Sequence, residues 1–181
     1  MKKIKKHLEG ITKIMDYNDK YFIVYNEKNM LSFVTKDTLE FVHENCWFNS
    51  YKNYDDSFIL VENMSGLYTL LRKDNLAFFK KNSWYKCWFD FSDNLFRVYR
   101  NDGLCTLIKK SDGNYLFKDK WFSEIINFNQ DYYKIYDKSK NCSLISKKTG
   151  EIITGVRAKY TDIFFDSGNY FLMANELICP A

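Results

Sequence analysis

The side chains that most often carry catalysis are scarce in this sequence. It has two histidines, His7 in a lysine-rich start and His43 in a predicted strand, and neither belongs to a His-Glu-x-x-His pattern. No P-loop, Gly-x-Gly-x-x-Gly or Gly-x-Ser-x-Gly motif occurs either. Only a pair of carboxylates assembled from distant turns would escape such a search, because it leaves no local motif. We therefore expect a non-enzymatic protein without a cofactor, in which His43 lies on a strand surface.

Cysteines and acidic residues also lack the spacing of a metal site. The five cysteines are odd in number and form no Cys-x-x-Cys pair, which argues against a thiolate zinc site and a disulfide framework. Acidic and amide residues recur without the Asp-x-Asp-x-Asn-Gly spacing of a calcium loop. They are Asp16, Asp19, Asn53, Asp56, Asp90 and Asp93. We expect no metal, and we interpret each as a turn cap that bonds to its own backbone two residues on.

Tryptophans recur at a fixed interval and are candidates for binding a partner. Trp47, Trp84 and Trp121 are 37 residues apart, and Trp88 lies nearby. Stacked on bases or sugars, such rings contribute about 1–3 kcal/mol per base. A bulky aromatic at the same place in every repeat is also what packing between repeats requires. We favour packing.

A column of lysines keeps the same interval and forms the candidate partner-binding surface. Its members and their basic neighbours are Lys36, Arg72, Lys73, Lys109, Lys110, Lys147 and Lys148. If three strands about 4.8 Å apart make up each repeat, equivalent lysines lie about 14 Å apart, which is too sparse to follow successive phosphates. We favour a solvated turn that keeps strand edges from pairing. Binding of an anionic protein or of RNA is the alternative.

These columns exist because the chain repeats with a period of 37 residues. At that offset Ser32, Thr69, Thr106 and Ser143 come into line, each followed by Phe33, Leu70, Leu107 or Leu144. An aromatic column runs through five copies as Tyr17, Tyr54, Phe91, Phe128 and Phe165. So many matches at one offset indicate a true repeat.

Each copy has the local signals of a three-stranded meander. Residues 96–99 alternate, Asn101-Asp102-Gly103 makes a tight turn, and residues 104–108 resume extended chain. Ser111-Asp112-Gly113 then turns the chain into residues 115–117, and the matching third run of the first copy is residues 39–42. The part from the tryptophan to the aspartate turn is a fourth strand or a helical turn, between which periodicity does not decide.

The first strand of each copy has one apolar face. The position between its apolar residues is Ile23, Ile59, Arg97 or Lys134. We therefore predict that the second face of this strand meets water in at least two copies.

The sequence thus predicts an all-β protein of about four repeats, each a three- to four-stranded antiparallel meander. Because strand twist accumulates at roughly 20° per step, twelve or more strands require a propeller-like or an open superhelical arrangement. We assign residues 1–9 to a basic tail and residues 10–181 to one β-repeat domain. It comprises a partial repeat at 10–20, repeats at about 21–56, 57–93, 94–130 and 131–168, and a closing strand at 169–181.

One copy resembles a known repeat family. Gly103-Leu104-Cys105-Thr106-Leu107-Ile108, followed by Ser111-Asp112-Gly113, resembles the bacterial WG β-repeat, in which Gly-x-Trp-Gly, two apolar residues and a later glycine recur every 35 to 40 positions. The Trp-Gly pair itself is replaced by Leu31-Ser32, Tyr68-Thr69, Cys105-Thr106 and Cys142-Ser143. The resemblance implies an interaction module and brings no catalytic residues with it.

Charge and hydropathy leave partner binding as the expected function. The net charge is +4, with several lysines in the first six residues, and no segment approaches the roughly 18 apolar residues of a membrane span. We expect a soluble cytoplasmic protein that docks on a protein partner and not on a membrane. It could be a phage-encoded or mobile-element-encoded inhibitor resembling an anti-CRISPR, or an immunity protein. Binding of RNA or single strands through the lysine column is the alternative, and glycan binding is the second.

Overall fold

The structure, a computed structural model, describes residues 9–118, 120–153, 160–166 and 169–174. Within these ranges the chain forms β-strands and no helix, so no helix there could cross a membrane. The predicted basic tail up to residue 8, and residues 175–181 of the predicted closing strand, lie outside the described residues. The strands are β1 (Ile11–Asp16), β2 (Tyr21–Asn26), β3 (Leu31–Thr35), β4 (Ser50–Asn53), β5 (Phe58–Glu62), β6 (Tyr68–Arg72), β7 (Cys87–Ser92), β8 (Leu95–Tyr99), β9 (Cys105–Lys109), β10 (Glu124–Asn127), β11 (Tyr132–Tyr136), β12 (Cys142–Ser146), β13 (Tyr160–Asp166) and β14 (Asn169–Ala174).

Four antiparallel sheets are built from consecutive strands. Sheet 1 is β1-β2-β3, sheet 2 is β4-β5-β6 and sheet 3 is β7-β8-β9, while sheet 4 continues as β10-β11-β12-β13-β14. The middle strands β2, β5, β8 and β11 begin at Tyr21, Phe58, Leu95 and Tyr132, 37 residues apart. The prediction of an all-β fold made of 37-residue antiparallel meanders is therefore confirmed.

The strands that make up each meander differ from the predicted ones. The segment after each tryptophan, left undecided between strand and helical turn, becomes the first strand of the next sheet. The third predicted run, at residues 39–42 and 115–117, is not a strand. It is an arch that returns along the preceding strand and touches it through isolated bridges, Val34 with Phe41 and Leu31 with Phe48 in the first copy.

The turns recur as faithfully as the strands. The turn between the second and third strands places a left-handed residue at the same point in every copy, at Asn29, Gly66, Gly103 and Lys140, with φ of 59°, 70°, 81° and 64°. The turn into each arch does so at Leu39, Leu76, Gly113 and Gly150, with φ of 61°, 56°, 74° and 73°. A left-handed conformation costs an ordinary L-residue roughly 1–2 kcal/mol. The two leucines carry that strain where the other copies use glycine.

The chain divides into two compact units, Met1–Lys86 and Cys87–Ala181, and the single domain at 10–181 stays a prediction. In the first unit, sheets 1 and 2 share a hydrophobic cluster that includes Ile23, Phe33, Phe48, Ile59 and Leu71. In the second unit, sheets 3 and 4 share a cluster of Leu95, Cys105, Leu107, Phe117, Phe122, Ile125, Tyr133, Ile135 and Ile145. Each unit is therefore a pair of meanders with its own core.

A column of buried hydroxyls runs through the third strands. Ser32, Thr69 and Thr106 are each 1% exposed, and their hydroxyl oxygens have no hydrogen-bond partner in the described part of the chain. Thr106 lies opposite Val98 across β8 and β9. A buried hydroxyl without a partner costs about 1–3 kcal/mol relative to a satisfied one.

Replacing that hydroxyl by a methyl group is expected to stabilise the protein. Thr106→Val keeps the side-chain shape and removes the unpaired group, so the free energy of unfolding should rise by about 1 kcal/mol. For a chain of this size that raises the thermal midpoint by about 2–4 °C, which circular dichroism measures. Val98→Thr on the opposing strand is the reverse change and should lower the midpoint. A lower midpoint for Thr106→Val would show that the hydroxyl is satisfied.

Candidate partner-binding surface

The predicted lysine column lies where each third strand ends. Lys36, Lys73, Lys110 and Lys147 are the first residues after β3, β6, β9 and β12, and Arg72 and Lys109 are the last residues of β6 and β9. Lys148 follows β12 and is exposed, as is Lys109. The Arg72 guanidinium lies 5.7 Å from the Phe58 ring centroid and 5.3 Å from that of Phe79.

Three of the four column lysines bond within their own sheet. Lys36 pairs with Asp16 and Lys110 with Asp90, while Lys147 donates to the Asn127 side-chain oxygen at 2.5 Å. Asp16 and Asn127 are the last residues of β1 and β10, and Asp90 stands two residues before the end of β7. Because the first and third strands of a meander run parallel, their ends lie on the same side.

Aromatic rings of the middle strands lie within cation–π distance of two of these lysines. The ammonium of Lys36 lies 4.9 Å from the Phe22 centroid and that of Lys110 lies 4.8 Å from the Phe96 centroid. Their side chains are only 28% and 24% exposed. In sheets 1, 3 and 4 the column thus ties the first strand to the third across the middle one, and its role in binding a partner stays a prediction.

The acidic columns do not cap turns as predicted. Asp16 and Asp90 pair with lysines, and the turn is capped two positions after that column and one before the second, by Asn18, Asp55 and Asn129. Asp55 Oδ1, for example, accepts from the backbone N–H groups of Ser57 and Phe58 at 2.7 and 2.8 Å. The repeating polar residues on both sides of the aromatic column made the choice of position ambiguous in the sequence.

The tryptophan column packs at the arches. Trp47 contacts Phe41 with ring centroids 5.7 Å apart, Trp84 contacts Phe78 at 6.2 Å, and Trp121 contacts Tyr115 at 6.0 Å. All three tryptophans are half-buried, and Trp88 is 4% exposed against Phe96. The favoured interpretation as packing therefore fits the contacts.

His43 is wrongly placed on a strand surface by the sequence. It lies half-buried in the first arch, with Nε2 at 2.7 Å from the Leu76 carbonyl oxygen and its ring centroid 4.3 Å from that of Phe78. Because a carbonyl oxygen can only accept, the Nε2–H group of His43 donates this hydrogen bond. The contact joins the arches of sheets 1 and 2 within the first unit.

Cysteines and acidic residues form no reactive cluster where the structure describes the chain. Three or more His, Cys, Asp or Glu side chains nowhere come together there as metal ligands do. Cys46, Cys87, Cys105 and Cys142 form no disulfide among the described residues. Burial raises the pKa of the Cys105 thiol to about 11 and also raises the pKa of Cys46 and Cys142. Thiols with raised pKa are poor nucleophiles at neutral pH, since the thiolate is the reactive form.

Two cations in the middle strands of the second unit, which were predicted to face water, do so only in part. Arg97 and Lys134 occupy one repeat column, whose other members are Ile23 and Leu60, so the predicted assignment of Ile59 to this column is wrong. Both cations are half-buried. The sequence signal for these half-buried cations is a charged residue in a repeat column that is apolar in the first two copies.

Lys134 on β11 is held by a carboxylate of β13, which lies two strands away in sheet 4. Its ammonium lies 2.7 Å from Asp162 Oδ1, and the Lys134 side chain is 11% exposed. The Tyr136 hydroxyl donates to the same oxygen at 3.1 Å. Burial acts to raise the pKa of Asp162, but the hydrogen bonds from Lys134, the Ile163 N–H and Tyr136 together lower it.

Arg97 makes the equivalent contacts without a carboxylate. Its Nη2 donates to the Ile125 carbonyl oxygen at 2.5 Å and its Nη1 to the Tyr99 hydroxyl at 3.3 Å. The guanidinium lies 4.4 Å from the Phe91 ring centroid. Arg97, Tyr99, Phe89, Asp90 and Phe91 line a cavity of about 490 Å³.

Exposed apolar side chains recur on the first strands. Met15 on β1 is 39% exposed, Phe89 on β7 is 54% exposed and Ile126 on β10 is 37% exposed, and all three stand in one repeat column. These first strands are edge strands of their sheets. In the second unit, Phe89 and Ile126 therefore present apolar surface at two edges.

Comparison with known proteins assigns no family. No protein-family model matches the chain, and no curated protein matches it. Among solved structures it is similar to the computationally designed protein Ika8 (10% identity, 91% of this chain, TM-score 0.36), to the WD40 β-propeller domain of Doa1 (14%, 87%, 0.32) and to BamB from Moraxella catarrhalis (9%, 92%, 0.32). The chain spans 55%, 58% and 56% of those three chains. Scores this low define neither a family nor an activity.

Proposed function

We propose that this protein is a non-catalytic β-repeat module that docks on a protein partner through the edge strands of its sheets. The observation that carries the proposal is the exposure of Phe89 and Ile126 at equivalent edge positions of the second unit. Large apolar side chains at a sheet edge are a liability that proteins usually blunt with charge. Where they are kept, they suit burial against another protein.

The finer parts of the proposal follow from the sequence. They are a divergent relationship to the WG-type repeat, and a role as an inhibitor carried by a phage or mobile element or as an immunity protein. The lysine column remains a proposed contact for an anionic protein or RNA, although the pairing of Lys36 with Asp16 and of Lys110 with Asp90 leaves fewer free charges for such a partner.

The proposal predicts that acidic residues at the two edges abolish partner capture. The full chain, immobilised and exposed to a lysate of its native host, should enrich a protein that mass spectrometry identifies. Phe89→Glu with Ile126→Glu should lose it, because a charge replaces apolar surface that binding would bury. Met64→Glu makes the same change at a residue that is 75% exposed in a turn, and should retain it.

Reconstitution with the purified partner completes the test. Isothermal titration should give at least about tenfold weaker binding for the double variant, which corresponds to about 1.4 kcal/mol. Enrichment of nothing above a bait-free matrix, or equal binding by the edge variant and by Met64→Glu, would overturn the proposal.

A further inference from the structure

The cavity beside Arg97 in the second unit combines aromatic walls with a positive charge, which docking through apolar edges alone does not explain. Its walls are three aromatic side chains, Phe89, Phe91 and Tyr99, with one cation, Arg97. Asp90 also lines it, but its carboxylate is bonded to Lys110. The cavity therefore joins exposed aromatic surface to a positive charge.

Arg97 has no counter-ion of its own. No carboxylate of the described residues lies within ion-pair distance of it. Its guanidinium has five N–H donors, and it uses two nitrogens for Ile125 and Tyr99, both uncharged acceptors. Nε is buried and has no partner among the described residues. Arg97 therefore has an N–H donor without an acceptor and a positive charge without a counter-ion among the described residues.

The next repeat shows what the unmatched charge lacks. Lys134 stands 37 residues after Arg97, and Asp162 stands 37 residues after Ile125. Lys134 thus meets a carboxylate at the position where Arg97 meets a backbone carbonyl. Sheet 3 therefore has a cation at this position, Arg97, but Ile125 stands where sheet 4 has the carboxylate of Asp162.

A half-buried guanidinium beside aromatic rings favours an anion more strongly than an exposed one does. Water is partly excluded there, so the effective dielectric constant is lower and the attraction between opposite charges is greater. A carboxylate also matches the planar fork of arginine, which can bind it with two parallel hydrogen bonds.

We infer that the Arg97 cavity receives an aspartate or glutamate side chain of the protein partner, with an apolar neighbour of that residue packed on Phe89. The inference rests on the proposed function and names the chemistry of the partner's contact. The carboxylate supplies to Arg97 what Asp162 supplies to Lys134, and the exposed ring of Phe89 adds apolar area at the rim.

Two capped peptides test the cavity directly. The isotope-labelled full chain is titrated with acetyl-Leu-Glu-Leu-amide and with acetyl-Leu-Gln-Leu-amide while nuclear magnetic resonance follows the Arg97 Nε–H and the Phe89 and Tyr99 amides. The Glu peptide should shift these signals to saturation. The Gln peptide should bind about tenfold more weakly, because it lacks the charge. Equal binding of both peptides, or shifts elsewhere only, would overturn the inference.

Arginine variants provide the matched control. Arg97→Leu restores the residue type of Leu60 in the same column and should abolish the preference for the Glu peptide, and Arg97→Lys should keep it in part. Arg100→Leu removes an arginine of the same strand region that is already paired with Asp102, and should bind as the unchanged protein does. An undiminished preference in both Arg97 variants contradicts the inference.

Partner capture separates this inference from the proposed function. If Arg97→Leu captures the partner as well as the unchanged protein does while the edge variant fails, docking stands and the cavity assignment is wrong. If the unchanged protein captures nothing, the docking function itself is overturned, irrespective of the peptides.

Discussion

Phe117→Ala should destabilise the second unit by about 3–5 kcal/mol, the range for removing a buried aromatic side chain. Phe117 is 1% exposed and lies in the arch after β9. Its ring contacts Phe122 at 5.7 Å and Tyr133 at 5.9 Å between centroids, both edge to face. The substitution therefore removes the side chain through which the arch of sheet 3 meets the middle strand of sheet 4. Such a loss is a large fraction of the 5–15 kcal/mol that stabilises a typical protein.

Urea unfolding followed by amide nuclear magnetic resonance measures the effect and assigns it to a unit. Signals of residues 87–146 should disappear at a lower urea concentration in Phe117→Ala than in the unchanged protein. Lys118→Ala changes the exposed neighbour, and its free energy of unfolding should stay within about 0.5 kcal/mol. An unchanged midpoint for Phe117→Ala would mean that the shared cluster of sheets 3 and 4 is not the core of this unit.

The 37-residue period of the fold was predictable because several independent sets of sequence positions repeat with it. The starts of the middle and third strands, both left-handed turn positions and the buried aromatic positions recur every 37 residues. The aromatic column that includes Tyr17 and Phe91 needs no knowledge of the fold to be found. A single period shared by apolar, polar and turn residues leaves few structures other than a series of equivalent meanders.

The third apolar run of each copy was wrongly predicted to be a strand, because alternation of apolar and polar residues does not show where the backbone adopts positive φ. Residues 39–42 alternate in hydropathy as a strand does, yet Leu39 and Leu76 adopt positive φ. In the later copies the same position is Gly113 or Gly150, which favours that conformation. Comparing columns, and not single segments, would have indicated the turn.

The binding candidates depended on contacts between distant strands, which spacing alone does not reveal. Lys36 and Asp16 were read as separate columns, one of binding residues and one of turn caps, whereas the meander brings the two together. Likewise, the structure places Ile125 and Asp162 at equivalent positions beside Arg97 and Lys134, which the spacing does not reveal. Sheet pairing and the packing of one sheet on the next decided both.

The pair of Lys134 and Asp162 gives the second large expected effect. Asp162→Leu leaves the Lys134 ammonium, whose side chain is 11% exposed, between the rings of Phe128 and Phe164 at 4.9 and 5.6 Å without its anion. Removing one partner of a fully buried ion pair costs about 3–5 kcal/mol. Because the Asp162 side chain is 28% exposed, the loss here should be smaller, about 2–3 kcal/mol. Urea unfolding should therefore show a loss of that size in this single variant.

The double variant Lys134→Leu with Asp162→Ile should recover most of that loss. The repeat itself supplies the apolar precedents, since Leu60 stands in the column of Lys134 and Ile125 in that of Asp162. Replacing a buried ion pair by apolar residues of similar volume is often neutral or stabilising. A double variant that is less stable than Asp162→Leu would show that the two side chains do not act as a pair.

Acid should remove the contribution of the same pair. Because the pKa of Asp162 is lowered in the folded protein, the carboxylate stabilises the fold fully above the unfolded pKa of about 3.9, and this is lost as pH falls through the folded pKa. The difference in free energy of unfolding between the unchanged protein and Asp162→Asn should therefore be constant from pH 7 to about pH 5 and shrink below about pH 4. Urea unfolding across this range measures it. A difference that persists undiminished at pH 2 would show that Asp162 acts through its shape and not through its charge.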